Sequence, residues 1–170
     1  MRCTHQDARG FSLIELMAVI AIAVIALCVA MPGYQNFRAE QHVAARANEL
    51  IADLNAARME AMRRGGQASL TSTGPTAPDR ATGWQTQVVD ASSATPSTIV
   101  LTVRQITDPN DYVKATGAAV FNSLGNLSTA SSSPAFYLCS VAGATTHARR
   151  VNVQPSGRSE ISSNVAANCQ

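Results

Sequence analysis

The segment Phe11–Met31 constrains this chain more than any other part of it. It is apolar over about the length a helix needs to cross a bilayer. Apart from the Cys28 thiol, its only ionisable side chain is Glu15. A carboxylate in hydrocarbon is costly unless neutralised or paired, so an acid kept there points to a function. The preceding Met1–Gly10 is polar and carries Arg2 and Arg9. Positive charge before an apolar segment holds that end in the cytoplasm, so the rest of the chain is expected to be delivered across the membrane. Three ordinary readings compete. A secretory signal would be cut after its apolar core, near Ala30. A lipoprotein signal needs a small residue before its cysteine, and Leu27 precedes Cys28. A plain anchor leaves Glu15 without a reason.

A length of 170 residues accommodates one domain plus an anchor. The net charge of +2 is too small to mark a general nucleic-acid binder. The charged fraction of 14% is low beside the usual value of about 25%, partly because the apolar segment holds almost no charge. Beyond Gly66 the texture turns to Ser, Thr, Ala, Gly and Asn with short β-branched runs. Four parts are expected: a polar leader over residues 1–10, a transmembrane helix over 11–32, an amphipathic helix over 33–66 and a β domain over 67–170.

Pro32-Gly33 is expected to kink the helix, which then resumes. Val43, Ala47, Leu50, Leu54, Ala57 and Ala61 recur at alternating spacings of four and three and give one apolar stripe. Arg46, Glu49, Asp53 and Glu60 are expected to face outward. Glu60 and Arg64 are spaced for a helix-surface pair, and Gly65-Gly66 is a stop signal. The stem is expected to lay its stripe on a β-sheet; a coiled coil is disfavoured by the shortness and alanine content of the stripe. Strands are expected at about 68–71, 84–89, 98–104, 118–121, 135–139, 150–153 and 158–162. Turn-rich pieces at 73–83, 90–96, 107–111, 123–126 and 128–134 separate them. The fold class is therefore α+β, a long helix packed on antiparallel sheet, with Trp84 expected in the core rather than at a binding surface.

Nothing in the spacing suggests catalysis. His5, His42 and His147 fall in separate regions, with no zinc site, phosphate loop or nucleophile–base pair. Asp108-Pro109-Asn110-Asp111 reads as a turn, with a weak calcium site as the alternative. No enzyme, cofactor or metal is expected.

Gly10-Phe11-Ser12-Leu13-Ile14-Glu15-Leu16 resembles the type III signal of type IV prepilins. The resemblance implies a type IV pilin fold, cleavage after Gly10 by a prepilin peptidase, N-methylation of Phe11 and an assembly role for Glu15, the fifth residue after cleavage. The family's helix carries a proline where Pro32 stands. The amine exposed at Phe11 would sit near Glu15 of a neighbouring subunit, making favourable in a filament an acid that is costly alone in lipid. The alternative is that Glu15 snorkels to the interface. Residues 47–65, ANELIADLNAARMEAMRRG, further resemble the FimT and FimU type minor pilins and the GspH type pseudopilins of type II secretion. Gly83-Trp84, the Phe121–Gly125 segment and Pro155–Arg158 resemble the same group.

With Cys3 in the leader and Cys28 in the apolar segment, Cys139 and Cys169 remain in the exported domain, where an oxidising periplasm makes a disulfide the default. Such C-terminal disulfides are similar to those of the FimU group. Some FimT type pilins are DNA receptors in natural transformation and carry a C-terminal Gly-Arg-x-Arg motif. Here Gly157-Arg158-Ser159-Glu160 replaces the second arginine with an acid, which removes a phosphate contact and adds repulsion. Arg149 and Arg150 would compensate if they shared a face with Arg158, aided by His147 and Lys114; the alternative is a solvated, charge-protected strand edge.

The resemblance implies a minor pilin that takes part in pilus assembly or initiation, and in tip function. Its partners would be the prepilin peptidase, other minor pilins and the major pilin. It would sit in the inner membrane as a single-pass protein with a periplasmic C-terminal domain, and then in the pilus at the cell surface. The alternatives are a pilus-borne receptor for double-stranded DNA, without sequence preference, and a type II secretion pseudopilin.

Overall fold

The computed structural model describes residues 12–90, 97–128, 133–142, 144–163 and 166–169. The leader, the Gly10–Phe11 junction and the Pro32 side chain lie outside the described residues, and with them the expected cleavage site and kink.

One helix, α1, runs over Leu13–Arg64. The carbonyl of Ser12 accepts its first bonds, from the Glu15 and Leu16 amides. It ends where Gly65 takes a left-handed φ of 63°, and the Gly66 amide reaches back to the Ala61 carbonyl at 3.2 Å. That closure is the reason glycine stands there. The chain divides into two compact units, up to Gln35 and from Asn36 onward. By length and apolarity no single helical stretch among the described residues suffices to cross a membrane. Leu13–Cys28 does so only together with the helical residues from Gly33.

Among the described residues of the second unit, eight strands follow: β1 (Gln67–Thr73), β2 (Gly83–Asp90), β3 (Ser97–Gln105), β4 (Asp111–Ala115), β5 (Ala119–Phe121), β6 (Ala135–Ala142), β7 (Thr145–Val153) and β8 (Ser159–Ser163). They form two four-stranded sheets, in the orders β3-β2-β1-β5 and β4-β6-β7-β8, and every pairing is antiparallel. Ala81 and Val113 exchange backbone bonds of 2.7 and 2.9 Å, stitching the segment before β2 to β4. β4 is a strand that the sequence reading did not assign: only Asp111, at the end of the expected 107–111 turn, was given an element. It carries the charged Asp111 and Lys114, and pairing with β6 gives it a sheet to belong to.

All six expected stripe residues of the stem are buried, from Val43 to Ala61, and join one core with Leu70, Trp84, Val88, Phe121, Phe136, Val151 and Val153. Both sheets contribute to that core. Asp53 corrects the sequence reading: it is buried rather than outward-facing. Its carboxylate accepts a 2.8 Å bond from the Trp84 indole and a 3.2 Å bond from Arg104 Nε, so a buried acid is satisfied by a donor from β2 and a cation from β3. Further down the stem, Arg58 Nε donates to the Gly125 carbonyl at 2.8 Å, which fixes the loop after β5. A Cβ at Gly157 would meet that same carbonyl at 2.0 Å, so the turn before β8 closes directly over it.

Candidate functional site

The first functional element is the N-terminal part of α1. Glu15 occupies its first turn, and the large apolar residues from Leu13 to Leu27 are each more than half exposed. Apolar surface this continuous requires lipid or other chains to cover it. Val19, one turn further along, shares the acid's face and is exposed, so whatever covers that face also meets the carboxylate.

The second element is the C-terminal clasp. Cys139 of β6 and Cys169 are joined by a disulfide across a sequence separation of 30. Cys169 lies in the short 3₁₀ helix Ala166–Cys169, and the Tyr112 hydroxyl of β4 donates to the Cys169 carbonyl. Tyr112, Cys139 and Cys169 make a small buried cluster, with Tyr137, Val141 and Ala148 packed on it, separate from the main core. The chain end is thereby fastened to the outer face of the second sheet.

The third element is the set of late basic residues, which the structure sorts by face. Successive residues of a strand point to opposite sides. Val151 and Val153 face the core, so His147 and Arg149 share their side of β7 while Arg150 takes the outer one. Arg149 Nη2 lies 3.8 Å from Glu40 Oε1 of the stem, and His147 Nε2 is buried with no hydrogen-bond partner among the described residues. The condition that Arg149 and Arg150 both share a face with Arg158 is therefore not met. Lys114, Tyr137 and Arg150 are direct cross-strand neighbours on β4, β6 and β7. The Arg150 guanidinium lies 5.6 Å from the Tyr137 ring centre. Arg158, exposed, lies 3.7 Å from Glu160, which discounts its charge. Arg80 was not singled out in the sequence. It stacks on Tyr112 at 4.3 Å and lines, with Asp79, Tyr112, Lys114 and Cys169, a cleft of about 290 Å³. The adjacent β-forming residues Tyr112 and Val113 were the signal that could have placed Lys114 on a strand.

Electrostatics elsewhere are structural. Hydrogen bonding to Arg63, and then to Arg64, lowers the Glu60 carboxyl from its usual 4.5 to about 2. The bond to Asp53 raises Arg104 above its ordinary value.

These features agree with comparisons to known proteins. The family described as type II transport protein GspH matches residues 46–157 of the 170, well over half of the chain. The prokaryotic N-terminal methylation motif matches residues 6–31. Among solved structures, the type IV minor pilin FimU of Pseudomonas aeruginosa is similar at a TM-score of 0.54 and 21% identity, covering 77% of this chain and 94% of that one. A second crystal form of FimU gives 0.49 and 19%, covering 70% and 91%. No curated protein sequence matches. The fold is thus that of a type IV pilin, and the chain belongs to the GspH family of type IV pilin-like proteins.

Proposed function

We propose that this protein is a minor pilin of a type IV pilus that takes part in starting or capping the filament. The observation that carries the reading is the exposed apolar stretch of α1 with Glu15 in its first turn, inside the span that matches the N-terminal methylation motif. On this reading the prepilin peptidase cuts after Gly10 and methylates Phe11. The new amine meets Glu15 of a neighbouring subunit, and the pair neutralises an acid that lipid disfavours. The second unit, carried into the periplasm, offers a further contact surface. β3 is a sheet edge that exposes Ile99, Val100, Leu101 and Val103, a feature suited to docking another pilin. Glu15→Ala is expected to leave membrane insertion and leader removal intact while filament incorporation, read by shearing and immunoblotting, falls strongly. Undiminished incorporation would remove the pairing role.

The family description favours a second reading, a pseudopilin of a type II secretion system, with the same processing and pairing chemistry in a different machine. A third reading, a receptor for double-stranded DNA, draws support from the Lys114–Tyr137–Arg150 row. Cations and an aromatic on one face fit phosphates without reading sequence. On this reading Arg149 and His147 contribute little, and Arg158 acts against Glu160. Full-length protein in detergent, titrated with duplex DNA across a salt series, tests it. Binding that weakens with salt and is lost in Lys114→Ala/Arg150→Ala but kept in Arg149→Ala supports the DNA reading; equal binding by all three excludes this face.

A further inference from the structure

The turn between β3 and β4 comes up against the stem at His42. His42 Nδ1 lies 3.8 Å from Asp111 Oδ2, and single donor atoms of His42, Asp108 and Asp111 all fall within 4.8 Å of one another. The histidine and the two acids are far apart in sequence, and only the packing of the stem against the start of β4 groups them.

Asp111 gives this grouping its meaning. Its side chain is only 7% exposed, yet its carboxylate accepts no hydrogen bond among the described residues. The distance to His42 is too long for one. Arg46, one turn further along the stem, lines the same small void as Asp111 but holds Glu49 at 2.8 Å instead. A carboxylate this nearly buried, with only His42 at ion-pair distance among the described residues, is stabilised by a cation that completes its surroundings. Asp53 shows how this fold treats a buried acid that needs no outside help: the Trp84 indole and Arg104 Nε both bond to it. Asp111 has no such pair.

We propose that His42, Asp108 and Asp111 hold a divalent transition-metal ion of the zinc or manganese kind, which clasps the stem to the β3–β4 turn. One imidazole with two carboxylates is a donor set suited to such ions, whereas calcium and magnesium take oxygen donors. Donors of one such ion, bound at about 2.0–2.2 Å, sit no more than about 4.4 Å apart. The three atoms therefore need only a small inward movement. Asp108 is exposed and His42 half-exposed, so both can supply it. Asp108 keeps one oxygen on the Asn110 amide at 3.0 Å, which orients the carboxylate and leaves its second oxygen for the ion. Three protein donors leave the remaining positions to water, as in open metal sites, or to a donor from a neighbouring chain.

The test uses full-length protein in detergent, stripped with chelator and titrated with Zn²⁺ by calorimetry, with thermal unfolding read alongside. Wild type is expected to bind one Zn²⁺ and to unfold at a higher temperature when loaded. Asp108→Asn, at an exposed position that leaves folding untouched, is expected to weaken binding by at least about tenfold and to cancel most of the thermal shift. His42→Gln is expected to do the same, and to leave a site that no longer prefers Zn²⁺ over Ca²⁺. Absence of binding by folded wild type overturns the proposal. So does Zn²⁺ binding of equal strength in both variants, which would place the ion at other histidines. Calcium bound more tightly than zinc, indifferent to His42→Gln, overturns the assignment of the metal class.

Discussion

The Trp84 indole nitrogen of β2 donates to Asp53 of the stem at 2.8 Å, and this bond ties the first sheet to the helix through the middle of the core. Removing the acid leaves a buried indole N–H without a partner and Arg104 without its counter-charge. Asp53→Ala is expected to destabilise the folded unit by about 2–4 kcal/mol. Trp84 is the single tryptophan of the chain, so its fluorescence during urea unfolding reads the effect directly. An unchanged midpoint would mean that the bond contributes nothing.

The Cys139–Cys169 bridge closes a loop across a separation of 30 residues. By loop entropy it contributes about 3–4 kcal/mol. The Cys139→Ser/Cys169→Ser protein is expected to unfold at a correspondingly lower denaturant concentration. Reducing the wild type should lower it to the same level and leave the variant where it is.

Glu60 supplies a pH dependence. Its carboxyl is held at about 2, below the usual 4.5, chiefly by the hydrogen bond from Arg63. A depressed carboxyl contributes stability that is fully present above about 4.5 and is lost as pH falls toward about 2. Wild type is therefore expected to exceed Glu60→Gln in stability at neutral pH, and the two melting curves should converge across that acid window. A constant gap down to the lowest pH would remove the pairing with Arg63 and Arg64 as its cause.

Gly157 has a φ of 78°, and an added Cβ would lie 2.0 Å from the Gly125 carbonyl oxygen. Gly157→Ala combines backbone strain with displacement of the acceptor that Arg58 uses. A loss of about 1–3 kcal/mol is expected, measured by thermal melting beside Gly117→Ala, where a Cβ meets open space.

The stem was legible because a helix repeats its burial every three or four residues, and Val43 to Ala61 obey that rhythm. Asp53 was misread by its chemistry rather than its place. It stands three residues after Leu50 and four before Ala57, within the stripe, and the partners that allow its burial lie on strands that no local pattern connects to it. β4 escaped for a related reason: Asp111 and Lys114 look like loop residues until β6 pairs with them. The late arginines showed their charge in sequence but not their direction. The strand was expected to begin at Arg150, whereas it begins at Thr145, and the alternation this imposes sends Arg149 toward the stem and Arg150 away from it. Asp108 and Asp111 were legible as a turn with a weak calcium site as the alternative, but the arrival of His42 beside them had no sequence signature, since it arises where a helix passes that turn.

Among the described residues, none before Ala39 is buried. Among the same residues, the stem's contribution to the core that holds the sheets together begins at Val43. On the proposed reading, exchanging lipid for a filament as the surroundings of that stretch acts on residues outside this core, so the same folded unit from Asn36 onward serves both states.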